Sequence, residues 1–205
     1  MFEHIAKHYD HCEGNYKLAQ NPVTSHYVRG AISFPIAFRT YQSYDNVTNW
    51  EEHFQRNFPE IKIPSQSKQR NKLKKKYEEQ LLNKDKEFAN KHELFKTKIT
   101  LACELVEDAI SRGLEFTVVL FDTWYLAPEL VEVIEKYQKA WISILKQNRK
   151  LQTKSLKIYG KDGNKIEIQE GEIKVEELVK LIEKSNYKPV YVNEDTTYWA
   201  FSFTA

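Results

Sequence analysis

The chain has 205 residues, 41% of them hydrophobic and 13% aromatic, which suffices for a sizeable core and excludes a disordered protein. Its net charge of only +2 gives no global argument for nucleic acid, and its two cysteines, Cys12 and Cys103, make no metal-binding spacing and read as reduced thiols. With no apolar leader and no apolar run of about 18 residues, neither secretion nor membrane insertion is supported, and the cytoplasm is the expected location.

In chain order, the first forty or so residues read as strands. Asn15 to Arg29 is hairpin-like, and Ala31 to Tyr41 is a more apolar strand in which Pro35 implies an edge or a bulge. Residues 43 to 67 contain Pro59 and Pro64 and read as a connection with a short helix near Trp50 to Phe58. One long helix is expected next, because Leu81, Phe88, Phe95, Ile99, Ala102, Val106 and Ile110 form a helical stripe that ends near Gly113. Charge is uneven over this region. Lys62 to Lys98 holds 12 Lys and Arg against 5 Asp and Glu, whereas Glu104 to Gln138 holds 2 against 8. The basic stretch can hold phosphates by releasing counterions, and the acidic stretch draws cations first.

The acidic stretch contains the most informative motif. An apolar run, Thr117 to Leu120, reads as a buried strand, and Phe121-Asp122-Thr123-Trp124-Tyr125 closes it with one carboxylate at its C-terminal tip. A side chain there leaves the core yet is held in place by the strand behind it, which suits a metal or substrate ligand. Pro128-Glu129-Leu130 starts a helix with Leu130, Val131, Ile134 and Tyr137 on one face, and Trp141 to Leu145 reads as a second strand. Strand, helix and strand make a βαβ unit, which puts Asp122 and the basic cluster Lys146-Gln147-Asn148-Arg149-Lys150 at the same sheet edge.

After Lys150 the pattern changes. Leu156 to Tyr159 and Lys165 to Ile168 alternate about the turn signal Asp162-Gly163 and predict a hairpin. Val175 to Glu183 predicts a short helix, and Val190 to Val192 and Tyr198 to Phe203 predict two more strands.

Two of these motifs resemble the DDE transposases of bacterial and archaeal insertion sequences. Val119-Leu120-Phe121-Asp122-Thr123-Trp124-Tyr125 is similar to the family's second catalytic aspartate motif, and Leu145-Lys146-Gln147-Asn148-Arg149 to its following Leu-Lys-x-Asn-Arg strand ending. His8-Tyr9-Asp10-His11 and Val28 to Ile36 resemble the strands after the first aspartate, and Tyr198 to Ser202 resembles a strand before the glutamate. The resemblance implies an α/β fold: an RNase H-like mixed sheet with flanking helices and a β-rich insertion near the C-terminus. Residues 1–150 would form a partial catalytic core, with a basic helical segment at about 62–98, and residues 151–205 the insertion and the strand leading to the glutamate helix. It further implies two Mg²⁺ or Mn²⁺ ions, with Asp122 as catalytic residue and metal ligand, and DNA (element ends and target) as partner, alongside a homo-oligomer or a complementing transposase fragment. The family's first aspartate and its glutamate would fall before Met1 and after Ala205. The chain alone is therefore expected to be inactive, since one carboxylate cannot hold a pair of ions that clamps the attacking and leaving oxygens.

Plainer readings stand beside these. Asp122 could cap a turn through a backbone hydrogen bond. Lys146, Asn148 and Arg149 are candidate DNA contacts or a solvated strand end, and Lys74, Lys75 and Lys76 candidate DNA contacts or a solvated helix start. His4, His8, His11 and Cys12 hint at zinc, but the segment reads as extended, which removes the shared helical face. Two other function classes remain open: a non-catalytic DNA-binding or interaction module, and an RNase H-like nuclease of another family.

Overall fold

The computed structural model describes residues 5–10, 13–153, 156–159, 165–182, 187–193 and 196–200. It is a mixed α/β structure with two compact units. The first comprises Met1–Leu120 and Trp124–Ile142, the second Phe121–Thr123 and Ser143–Ala205. The residues His4, His11, Cys12, Asp162, Gly163 and Phe201 to Phe203, which carried sequence expectations, lie outside the described set.

The first unit begins with two antiparallel hairpins, β1 (Ala6–Asp10) with β2 (Asn15–Ala19) and β3 (Pro22–Arg29) with β4 (Ile32–Thr40). Asn15 to Arg29 therefore divides between two hairpins. A two-residue turn joins β3 to β4 and needs Gly30, whose φ of +59° disfavours a side chain. Register shifts between Ser25 and His26, opposite Pro35 to Ala37, so the proline sits beside a bulge as its missing N–H requires.

Between β4 and the next strand the expected single helix is a correction, because the chain breaks into several. Helices α1 (Tyr44–Thr48), α2 (Trp50–Asn57), α3 (Ser67–Lys84) and α4 (Lys86–Leu94) form a helical module, and α5 (Lys98–Ser111) follows it. The breaks have local causes. Asp85 accepts a hydrogen bond from the Phe88 N–H and starts α4, while Thr97 accepts from the Thr100 N–H and starts α5. The seven-residue spacing of Leu81, Phe88 and Phe95 passes across the Asp85 cap, and the step from Phe95 to Ile99 passes across Thr97.

The module has its own core of Trp50, Phe54, Phe58, Leu81 and Phe88, with Tyr44, Leu73 and Tyr77 packed against it. Phe54 is fully buried, its ring centroid 5.2 Å from that of Phe58 and 5.4 Å from that of Tyr77. The entry and exit of the module meet, since the Tyr44 and Phe95 rings stack edge to face at 5.1 Å.

Helix α5 buries Leu101, Leu105, Val106 and Ala109. It packs on β3 and β4, where Val23 and Ala37 join Leu101 and Leu105, and also on α6 (Pro128–Lys136). It stops at Gly113, which takes a φ of +70° and donates to the Ile110 carbonyl. β5 (Val118–Phe121) and β6 (Ala140–Ser143) pair, and the Ala140 N–H donates to the Thr117 carbonyl, so the strands begin side by side as a βαβ unit requires. β5 is not the buried strand expected from its composition. Helix α6 buries Leu130 and Ile134, but Leu120 remains 72% exposed.

The second unit pairs β7 (Lys150–Thr153) with β10 (Gly171–Lys174), and between them in sequence lies the expected hairpin of β8 (Leu156–Tyr159) and β9 (Lys165–Ile168). Helix α7 (Val175–Leu181) contributes Leu178 to a small core with Ile168 and Ile182. β11 (Lys188–Asn193) and β12 (Thr196–Ala200) form a further antiparallel pair.

Candidate functional site

Asp122 stands immediately after β5, at the strand tip foreseen from the apolar run, and is exposed. One turn of 3₁₀ helix, Thr123–Tyr125, follows and turns the chain away. Its carboxylate makes no ion pair with a described residue. Two hydroxyls at the same strand ends, Thr123 Oγ1 and Ser143 Oγ, are buried without a hydrogen-bond partner. With the Asp122 carboxylate these are hard oxygen donors of the class that Mg²⁺ and Mn²⁺ accept, but only the carboxylate is anionic. Among the described residues, Asp122 has no acidic, His or Cys neighbours that would complete a set of three ligands.

The basic cluster belongs to the same unit as Asp122. It is a turn, not a strand end: β6 stops at Ser143, and the Arg149 N–H donates to the Lys146 carbonyl at 3.0 Å. The turn is fixed by α7, because the N–H groups of Val175 and Glu176 donate to the carbonyls of Arg149 and Gln147 at 2.9 and 3.0 Å. Those carbonyls thus satisfy donors that every helix start leaves open, and Lys174 at the cap position supplies no side-chain bond. The side chains of Lys146, Asn148 and Arg149 are exposed. Lys150 differs. Its ammonium donates to Glu172 at 2.6 Å, and that bond holds its pKa above the ordinary lysine value.

The lysines of α3 lie in the other unit. Lys75 and Lys76 are exposed, and the Lys76 ammonium lies over the Tyr77 ring. Lys74 is turned inward: it pairs with Asp45 and sits 4.8 Å from the Tyr44 ring centroid and 5.2 Å from that of Trp50. Its charge helps to hold α3 against α1 and α2.

Sequence reasoning missed one cluster, His53, Asp85 and Glu87. His53 is fully buried, and its Nδ1 lies 2.8 Å from Asp85 Oδ2. Its Nε2 lies 3.2 Å from the Lys91 ammonium, which itself donates to Glu87 at 2.9 Å. Both ring nitrogens are therefore engaged, and an ammonium already stands where a metal would. Asp85 also accepts from Asn57 and from the Phe88 N–H. The cluster ties α2 to α4.

Burial pushes the Asp85 carboxyl up, but the hydrogen bonds from Phe88, His53 and Asn57 outweigh it and hold its pKa at about 2, below the ordinary 3.8. A depressed carboxyl pKa contributes stability that is complete above the unfolded value and is lost as pH falls through the folded one. The module should therefore lose stability between pH 3.8 and about 2, and Asp85→Asn should remove that part of the acid transition. Circular dichroism melts of both proteins across this range check it; superimposable profiles would refute the role of Asp85.

No described helix is long and apolar enough to cross a membrane. Neither the curated proteins nor the solved structures gave a significant match to the chain. The family model described as DDE superfamily endonuclease matches residues 2–188, nearly the whole chain, a range that includes Asp122 and the basic turn at Lys146 to Arg149. The chain thus belongs to the DDE superfamily of endonucleases.

Proposed function

We propose that this chain is part of an insertion-sequence transposase, acting in the cytoplasm, and that Asp122 is one of its metal-holding carboxylates. DDE superfamily endonucleases act on DNA with divalent metal ions. The observation that carries the reading is Asp122 itself, an exposed carboxylate without an ion pair among the described residues, at the tip of a strand in the matched region. When bound, the ions supply an activated water or 3′-hydroxyl and offset charge on the leaving oxygen of a phosphodiester. Asp122 would hold its share of them, beside the orphaned hydroxyls of Thr123 and Ser143. Lys146 and Arg149 would hold the DNA backbone against the site, and Asn148 would donate to phosphate or base.

The lack of further ligands around Asp122 among the described residues favours the view that this chain alone does not cleave, and that a second chain or fragment contributes the other acids. The same lack supports a second reading, a DNA-binding module without chemistry. A cleavage and binding assay with and without Mn²⁺ separates the two: metal-dependent strand cutting and joining fits the first, metal-independent binding alone the second, and cutting without joining a nuclease of another kind.

The lysines make a separate prediction. Changing Lys75 and Lys76 together to Gln should weaken DNA binding and reduce the slope of log affinity against log salt by about 2. Fluorescence anisotropy over a salt series reads this; an unchanged slope would remove α3 from the interface. Lys74→Gln should instead lower the stability of the helical module, because its charge is committed to Asp45.

A further inference from the structure

We infer that the basic turn and the corner where β10 runs into α7 form one phosphate-binding clasp, in which Lys174 is a further contacting cation and Val175 and Glu176 are positioning residues. The clasp rests on the DNA-binding reading above and extends it to a later part of the chain. The antiparallel ladder of β7 and β10 sets Lys150 opposite Lys174 at its end. Bonding continues beyond that rung. The Val175 N–H reaches the Arg149 carbonyl at 2.9 Å, and the Glu176 N–H reaches the Gln147 carbonyl at 3.0 Å as the chain enters the helix. Both bonds hold the main chain of the turn, whose own closing bond runs from the Arg149 N–H to the Lys146 carbonyl. The clamp is anchored as well. Leu151 and Ile173, the next rung of the ladder, pack against the core of Ile168, Leu178 and Ile182.

Charge decides what the clasp holds. Residues directly opposite in an antiparallel pair project to the same face, so Lys150 and Lys174 stand side by side and repel each other. Glu172 answers Lys150 at 2.6 Å, whereas Lys174 has Glu176 at 3.7 Å, with both side chains of that pair well exposed. Its ammonium is thus open to a second anion. Lys146 and Arg149 are exposed and pair with no carboxylate among the described residues. The first N–H groups of α7 are taken up by the turn, so an anion here is met by side chains. Three exposed cations on adjoining segments of one braced corner suit a phosphodiester backbone, whose charges are repeated and whose counterions are released on contact. Bracing the turn in advance removes an ordering cost that a loose loop meets on binding.

The test uses the full chain and a duplex oligonucleotide of arbitrary sequence in EDTA, so that no metal chemistry enters. Val175→Pro is the informative variant. Proline is accepted at the first position of a helix, and Lys174 already has the extended ψ of 145° that a following proline requires, so the change removes little besides the N–H. Amide exchange at Arg149, read without DNA, should quicken about fivefold, the worth of one backbone hydrogen bond, with the exchange of α7's own amides unchanged. Duplex affinity should fall about as much, at an unchanged slope of log affinity against log salt, because no charge is lost. Val175→Ala keeps the N–H and should match the parent in both. Lys174→Gln should lower the salt slope by about 1 and leave Arg149 exchange alone. Unchanged Arg149 exchange in Val175→Pro, or an equal effect of Val175→Ala, would overturn the positioning role, and an unchanged slope in Lys174→Gln would overturn the contact. If Val175→Pro also loosens α7, Glu172→Gln takes its place: it releases Lys150 without touching the helix and should quicken Arg149 exchange about twofold, and no change would overturn the clamp. The DNA-binding reading fails separately. Parental affinity and slope in Lys146→Gln and Arg149→Gln would sink it and the phosphate contact with it, while quickened Arg149 exchange in Val175→Pro would leave the positioning of the turn standing.

Discussion

Asp122→Ala should abolish metal-dependent DNA cleavage in any preparation of this protein that cuts. Replacing groups that only orient metal ligands costs about 10–100-fold in affinity or activity, so losing a carboxylate that holds the ion should cost at least ~100-fold. The fold should not suffer. Asp122 is exposed and has no ion pair among the described residues, so its removal should change stability by no more than about 0.5 kcal/mol. The result to look for is a silent variant with an unshifted unfolding midpoint. Cleavage at the parental rate would sink the assignment of Asp122, and a large loss of stability would move its role from chemistry to structure.

Phe54→Ala should produce the opposite pattern, a large loss of stability without any direct claim on chemistry. The Phe54 ring is fully buried and meets the rings of Trp50, Phe58 and Tyr77 at centroid distances of 5.9, 5.2 and 5.4 Å. Truncation removes the transfer free energy of the ring and leaves a cavity between three helices, at a cost of about 3–5 kcal/mol. That is a large part of the stability of a typical domain, about 5–15 kcal/mol, so the unfolding midpoint of the module should fall well below the parental one. Urea unfolding followed by tryptophan fluorescence measures it through Trp50. Phe38→Ala is the control, because Phe38 is 65% exposed and its loss should cost little. Similar shifts for the two variants would show that the module has no core of its own.

The features legible in the sequence were those with local causes. Asp122 could be placed at a strand tip because an apolar run stops there, Gly113 marked a helix end, and Pro128 marked a helix start. Pro35 likewise announced the bulge it accompanies. What stayed hidden depends on long-range pairing. His53 and Asp85 are far apart in sequence, and no spacing rule brings them together. β7 and β10 close around a hairpin, and neither strand carries a sign of its partner. Lys146 to Arg149 looked like a strand end, but its form is set by α7, which needs the turn's carbonyls. The breaks around α4 were readable in principle: Asp85 and Thr97 are good cap residues, and the apolar stripe outweighed them. The exposure of β5 was not, because composition cannot tell whether a strand has neighbours on both sides.

The contact between Tyr44 and Phe95 has a consequence for how such a chain can change. The helical module leaves the sheet layer and returns to it at nearly the same point, and its core is made of its own side chains. A segment joined in this way behaves like a cartridge on a fixed mount: helices within it can lengthen, shorten or be replaced while the strands that carry Asp122 keep their hydrogen bonds. Divergence in this lineage should therefore collect between Tyr44 and Phe95, where new surface can be tried without moving the carboxylate.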